Sequence, residues 1–311
     1  MLFNSATYIF LFLPIVLIAY WLLPLRGRQY LILGSSLLFY GFWRFDFLPL
    51  LLFSAMLDYS MALLIEKADD PVKRKRLLII SMVANLGILG FFKYLIFFAD
   101  TGYGLAHVLG FNPGFVELNI ILPLGISFYI FQTMSYTIDV YRREFPAERD
   151  IVTYMGFVTF FPQLVAGPIL RPAELIPQLK EKKVLRADDI RIGIERIIAG
   201  LILKTVFADT IAEFVNVGFE RDISGLSALD AWTLAFLFGF QIYFDFAGYS
   251  SIAIGSGRLL GYNIRENFDF PYASTSPREF WKRWHISLST WIRDYLYLPI
   301  IGGYRPQAAP A

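Results

Sequence analysis

Cysteine is absent from this 311-residue chain, and histidine occurs twice, at His107 and His285. Disulfides, thiolate metal sites and a cysteine-bound acyl intermediate are therefore excluded. Two imidazoles are too few for a histidine-based metal centre, so no metal is expected. Charge is scarce as well: 17% of residues are Asp, Glu, Lys or Arg, against about 25% in an ordinary soluble domain. The net charge of +2 is small and scattered, which argues against a nucleic-acid partner. What the chain has instead is apolar surface. Its residues are 56% hydrophobic, with 31 Phe, 18 Tyr and 6 Trp. A water-soluble core of this size cannot bury so much, so the expected solvent is lipid, with Tyr and Trp as interfacial anchors.

A membrane-crossing helix needs about 20 apolar residues. Runs at 5–24, 30–43 (short), 47–66, 77–98, 119–140, 192–217 and 229–257 are candidates. The first is no signal peptide, because it has no basic leader and no small-residue cleavage site. Residues 151–170 are apolar but interrupted by Pro162, Gly167 and Pro168, which suits a re-entrant or kinked segment. Arg26/Arg28, the run 67–76, Arg142/Arg143/Arg149 and the stretch 180–196 carry the positive charge. The loop 99–118 has no Lys or Arg, and 218–228 has only Arg221. The positive-inside rule makes the basic loops cytoplasmic and the N-terminus external. Alternation is consistent if 151–170 does not cross. Segment 171–196 mixes charge with Ile and Leu, the pattern of a helix lying on the cytoplasmic face. Repeats and soluble domains are not apparent, so residues 1–311 read as one all-α membrane domain.

Charge inside an apolar helix costs about 2.5–3.5 kcal/mol at the centre and turns toward protein or a water-filled cavity. Asp245 is the clearest case. Gln241, Asp245 and Tyr249 recur at i, i+4 and i+8 and share one helical face. That stripe reads equally as the wall of a substrate tunnel or as interhelical hydrogen bonding. Lys93, Asp139 and Lys204 lie near the ends of their runs, where snorkelling explains them. His107 falls in the external loop, with no role assigned.

Residues 274–299 read STSPREFWKRWHISLSTWIRDYLYLP. Ser276, Pro277 and Glu279 form a helix-start signal. A continuous helix from there places Trp281, Trp284, Leu288, Trp291, Ile292 and Tyr295 on one face. Lys282, Arg283, Thr290, Arg293 and Asp294 take the other. His285 falls at the seam, with Ser289 one turn on and Lys282 nearly one turn back. A neutral imidazole there can take a hydroxyl proton during acyl transfer, or it can simply make one packing hydrogen bond. Position 290 is Thr, so an H-x4-D acyltransferase pattern is absent.

Four ordered segments carry a resemblance. They are Leu122–Arg143, Phe160–Arg171 (FFPQLVAGPILR), Gln241–Gly255 (QIYFDFAGYSSIAIG) and Asn267–Leu298. In sequence they resemble the signature blocks of membrane-bound O-acyltransferases, most closely the alginate O-acetylation subgroup, which is related to the teichoic-acid D-alanyl transferases. The resemblance implies a polytopic transmembrane bundle around a central funnel, with re-entrant and interfacial amphipathic helices, in a bacterial inner membrane. It implies no bound cofactor and an acyl thioester donor, acetyl-CoA or a carrier-bound acyl group, reached from the cytoplasm. The acetyl group would pass to an exported polysaccharide through an extracytoplasmic acyltransferase partner. His285 stands at the first of two family histidines, with Gln241, Asp245, Tyr249, Lys282, Arg283, Trp284 and Ser289 around it as tunnel or supporting residues.

Two departures qualify that expectation. Ser251 stands where many relatives carry Asp. After Gly303 only a short Pro/Ala tail follows, without the second histidine in its Trp-His-Gly context, generally taken as catalytic. The chain is therefore read as the N-terminal two-thirds of such an enzyme: a fragment, a frameshifted product or half of a split protein. Two other readings stay open. One is a transporter of a polysaccharide precursor, which Asp245 would suit but for which paired broken helices are lacking. The other is a non-catalytic remnant that assembles with partners.

Overall fold

A computed structural model describes residues 1–111, 120–165, 167–220 and 225–303. Arg221, residues 112–119 of the expected external loop and the 304–311 tail lie outside the described residues. Among the described residues all regular structure is helical. A π-helical turn at Tyr8–Phe12 leads into α1 (Leu13–Leu22), followed by α2 (Leu25–Gly41), α3 (Leu48–Lys67) and α4 (Pro71–Val108). Then come α5 (Ile126–Arg142), α6 (Ile151–Thr159), α7 (Phe161–Leu164) and α8 (Pro172–Lys180). α9 (Ala187–Leu201) continues through a π-helical stretch, Ile202–Ala208, into α10 (Asp209–Glu220). The long α11 (Ala228–Leu259) precedes a run of short helices near the end of the chain.

By length and composition, Phe45–Lys67 and Pro71–Val108 can each cross a membrane; Tyr8–Leu22 and Ile151–Leu164 are apolar but shorter. Most apolar runs became helices within a few residues of their expected limits. The expected loop at 99–118 did not. α4 runs on to Val108 and carries His107 in its last turn, since Gly102 and Gly104 cost a helix only about 1 kcal/mol each whereas proline would break it. The 171–196 segment also differs from a single surface helix. It is split into α8 and α9, and α8 buries Leu175, Ile176 and Leu179 against the bundle.

The four basic segments meet at one end. Arg26 pairs with Asp150 (Nη2–Oδ1 2.8 Å), Arg149 with Glu66 (3.0 Å), and Lys180 with Glu148 (2.5 Å). Arg74 donates to the Tyr141 carbonyl at 2.7 Å, and Arg28 to that of Lys183 at 2.7 Å. The chain enters α6 at this end and leaves α8 at the same end. Between them it breaks at Phe160 (ψ 104°), ahead of Pro162. Gly125, at φ +70°, sits so close to this segment that a Cβ would lie 2.4 Å from the Leu164 carbonyl oxygen.

Glycines also set the approach of α9 to α11. Gly193 faces Gly255 and Gly200 faces Gly248; a Cβ on Gly200 would fall 2.6 Å from the Gly248 oxygen. Such small-residue seams let helix backbones come together where lipid supplies no hydrophobic drive. Gly200→Ala should destabilise by about 1–3 kcal/mol. Gly87→Ala, which meets nothing within 4 Å, should stabilise by about 0.5–1 kcal/mol. Thermal midpoints of the two variants in detergent test this; equal shifts would dismiss the seam.

Candidate active site

Ser276 caps α12 (Pro277–Arg283) by accepting from Glu279 N at 3.2 Å, and Glu279 accepts from Thr275 N at 2.9 Å. The expected single helix then breaks. Trp284 is extended, and His285 sits at φ +43°, ψ 55°, as the residue before α13 (Ile286–Trp291). A π-helical stretch, Ile292–Tyr297, and α14 (Leu298–Ile300) follow. A left-handed conformation costs a non-glycine residue about 1–2 kcal/mol, and such strain is held only where surrounding contacts impose it.

Asn267 imposes much of it. Its side chain is fully buried. Its carbonyl accepts from Ile286 N at 2.9 Å, and its Oδ1 accepts from Ser287 N at 3.2 Å and Ser287 Oγ at 2.9 Å. Its Nδ2 donates to Ser250 Oγ on α11 at 3.2 Å. One asparagine thus pins the turn after His285 to the long helix. Sequence reasoning passed over it, although a polar residue at the head of a signature block was the available signal.

The break rotates His285 away from its expected neighbours. Its ring packs edge-on against Phe246 (centroids 4.6 Å apart) and lies near Phe128 (6.1 Å) and Phe268 (6.5 Å). Its Nε2 is buried without a hydrogen-bond partner. Ser289 does not reach the ring: its hydroxyl donates to the Trp284 carbonyl at 3.0 Å. Trp284 stacks on Phe280 (5.5 Å) and meets Phe268 edge-on (5.2 Å). Arg283 pairs with Glu279 at 2.8 Å, and Lys282 is exposed. The two expected faces of the helix do not survive. Trp281 and Ile292 are exposed, while Asp294, assigned to the charged face, is buried.

Asp294 accepts from Arg171 Nη2 at 2.5 Å, with 7% and 12% of the two side chains exposed. This pair, also unread in the sequence, ties the end of the FFPQLVAGPILR block to the His285 segment. Tyr295 donates to buried Asp139 at 2.9 Å, so Asp139 is a packing partner and not a snorkelling end. Lys204 likewise does not snorkel. It bridges Asp209 and Asp245, each at 2.6 Å, with its ammonium over the Tyr249 ring. The Asp245 and Tyr249 face therefore looks at the π-helical stretch, apart from His285. Ser251 donates to the Arg196 carbonyl at 2.8 Å. Gln241 Oε1 is buried and unpartnered.

Asp58, missed although it lies inside an apolar run, is fully buried. It accepts from Asn85 at 2.9 Å and from Ser81, and Asn85 in turn accepts from Ser54 at 2.7 Å. That knot joins α3 to α4. Among the described residues no group of three His, Cys, Asp or Glu is placed to hold a metal ion.

A strained imidazole with a free nitrogen, set in an aromatic box between two anchored blocks, suits a group that handles a ligand proton. The sequence model of the membrane-bound O-acyltransferase family matches residues 6–309. The chain belongs to this family. It is 43% identical over 98% of its length to a probable alginate O-acetylase AlgI of Azotobacter vinelandii, covering 60% of that protein. It is 37% identical over 98% of its length to a peptidoglycan O-acetyltransferase of Helicobacter pylori, covering 62%. A teichoic acid D-alanyltransferase of Bacillus subtilis matches at 29% over 59% of the chain and 47% of its own length. The chain thus spans about three fifths of the acetyltransferase relatives. As a member of this family with such relatives, it is a bacterial membrane protein.

His285 lies in a turn outside the long helices, and burial pushes its pKa down from the ordinary 6.5 to about 4. The folded ring is therefore neutral, while the unfolded chain takes up a proton below pH 6.5. Its contribution to stability is intact above about 6.5, declines as pH falls toward about 4, and then levels off. In a His107→Gln variant one imidazole remains, and its nitrogen-15 NMR signal should titrate near 4. A midpoint near 6.5 would mean that the ring is solvated.

Proposed function

We propose that this chain forms the His285 side of a membrane O-acyltransferase that acetylates an exported polysaccharide of the alginate type. The unpartnered Nε2 of His285 carries the reading. A neutral imidazole can accept the proton of an attacking hydroxyl as that oxygen adds to a thioester carbonyl and the thiol departs. Such general base catalysis typically contributes about 10²–10⁴ in rate. The donor is a thioester, acetyl-CoA or a carrier-bound acetyl group, used without a bound cofactor. An extracytoplasmic acyltransferase partner receives the acetyl group and passes it to the polymer. The named activities of the Azotobacter and Helicobacter relatives support acetyl transfer to a polysaccharide.

The arrangement proposed is a multi-pass bundle in the cytoplasmic membrane with its N-terminus outside. The convergence of the basic loops at one end supports it. α6 and α7 enter and leave from the cytoplasmic side, the α12–α14 segment lies at that interface, and a central funnel leads outward from His285. Arg283, Trp284 and Ser289 support the His285 turn, whereas Asp245 and Tyr249, held by Lys204, brace α11 behind it; Gln241 lies on the same face of α11, and Lys282 is exposed beside the turn.

The test joins the chain to the remaining C-terminal portion of the Azotobacter vinelandii relative, in a host unable to acetylate its own alginate. Proton NMR of the secreted polymer should show restored acetyl esters. Polymer without acetyl groups, from cells in which the fusion is inserted, would reject the proposal. Movement of a polysaccharide precursor across vesicles of the same protein without acyl transfer would favour a transporter.

A further inference from the structure

Residues of the Tyr8–Leu22 helix and of α9 line an apolar groove of about 600 Å³ on the outside of the bundle. Leu13 and Leu17 form one wall. Ile190, Ile194 and Ile198, spaced i, i+4 and i+8, form a straight opposite wall. From Ile190 to Leu201 the groove follows about 17 Å of α9, enough to match the roughly 15 Å of one leaflet's hydrocarbon.

Its cytoplasmic rim is built and charged. Trp21 lines the end of the groove, and its indole donates to the Leu259 carbonyl at 3.1 Å. The Arg28 guanidinium lies 4.8 Å from the Tyr20 and Trp21 rings and donates to the Leu23 and Lys183 carbonyls at 2.9 and 2.7 Å. Arg28 is buried, so it fixes the 181–186 loop against the end of α1. From Lys180 to Arg191 the chain carries five cations and three carboxylates. Glu181 is paired with Lys183 at 2.8 Å and Asp189 with Arg258 at 3.2 Å; Asp188 is 3.9 Å from Arg191. Lys182 and Arg186 are exposed and make no ion pair among the described residues. They flank Val184 and Leu185, and Leu185 itself lines the groove.

We infer that this groove seats an anionic phospholipid of the cytoplasmic leaflet. One acyl chain lies between α1 and α9, and the phosphate sits against Lys182 and Arg186. The inference uses the cytoplasmic placement of the basic loops and goes beyond the acyl-transfer reading. Charge complementarity selects the occupant, since basic pockets between helices on the cytoplasmic side recognise anionic headgroups. The apolar walls require that the anion carry a chain.

Trp21 provides the readout. The purified chain in detergent is titrated with phosphatidylglycerol or phosphatidylcholine brominated on the acyl chain, and the quenching lost in Trp21→Phe is assigned to the groove. Phosphatidylglycerol should quench Trp21 at about tenfold lower concentration than phosphatidylcholine. The exposed-site double variant Lys182→Ala/Arg186→Ala should remove that preference at unchanged thermal midpoint. Ile194→Phe/Ile198→Phe should weaken quenching by both lipids. Equal quenching by the two lipids, or a preference that survives in Lys182→Ala/Arg186→Ala, overturns the inference. Displacement by glycerol 3-phosphate as effective as by the lipid also overturns it, because the site would then bind the headgroup alone.

Discussion

Acetyl transfer by the proposed fusion with the Azotobacter vinelandii portion should fall about 10²–10⁴-fold when His285 becomes either Ala or Gly. The two variants should nonetheless differ in stability. Both lose the ring and its contacts with Phe246, Phe128 and Phe268. Only the backbone distinguishes them. At φ +43° alanine retains the steric cost of the left-handed region, whereas glycine escapes it, so the Gly variant should be more stable by about 1 kcal/mol. Thermal midpoints in detergent, read beside acetyl content, separate the two effects. Unchanged acetylation in both variants would remove His285 from the chemistry. Equal midpoints would show that the turn is not strained. The comparison also keeps lost chemistry distinct from lost fold, since the more stable variant should be as inactive as the other.

The second large effect concerns the pair Arg171–Asp294. Asp294→Ala should cost about 3–5 kcal/mol, because it leaves the Arg171 guanidinium buried beside Tyr295 without its carboxylate. Arg171→Met combined with Asp294→Leu should recover most of that loss, since an apolar pair of similar volume carries no desolvation penalty. Arg293 also bonds Asp294, at 2.6 Å, but its own side chain is 58% exposed, so water can replace that partner. The double variant should therefore fold. Its acetylation will show whether the pair also aligns the His285 turn with the FFPQLVAGPILR block. If Asp294→Ala proves no less stable than the double variant, the burial of Arg171 is not the source of the cost.

Much of the architecture was legible because hydropathy and breakers act locally. The apolar runs around α3 and α11, the break before Pro162 and the cap at Ser276 each follow from neighbouring residues. The 99–118 region failed because the apolar run was taken to end at 98, whereas helix propensity carries α4 on to Val108. The site was less legible. A smooth helical plot put His285 at a seam beside Lys282 and Ser289. The turn is instead set by Asn267, 18 residues earlier in the chain, which no periodicity could reveal.

The sequence by itself determined an all-helical chain for lipid, its cationic loops and the one histidine in a signature block, because composition and spacing along the chain suffice for these. Tertiary structure alone decided that Lys204 neutralises Asp245, that Arg171 meets Asp294 across 123 positions, and that His285 keeps an unpartnered nitrogen in an aromatic box. Each of these depends on which side chain arrives from a distant segment, and pairing and strain exist only once those segments have packed.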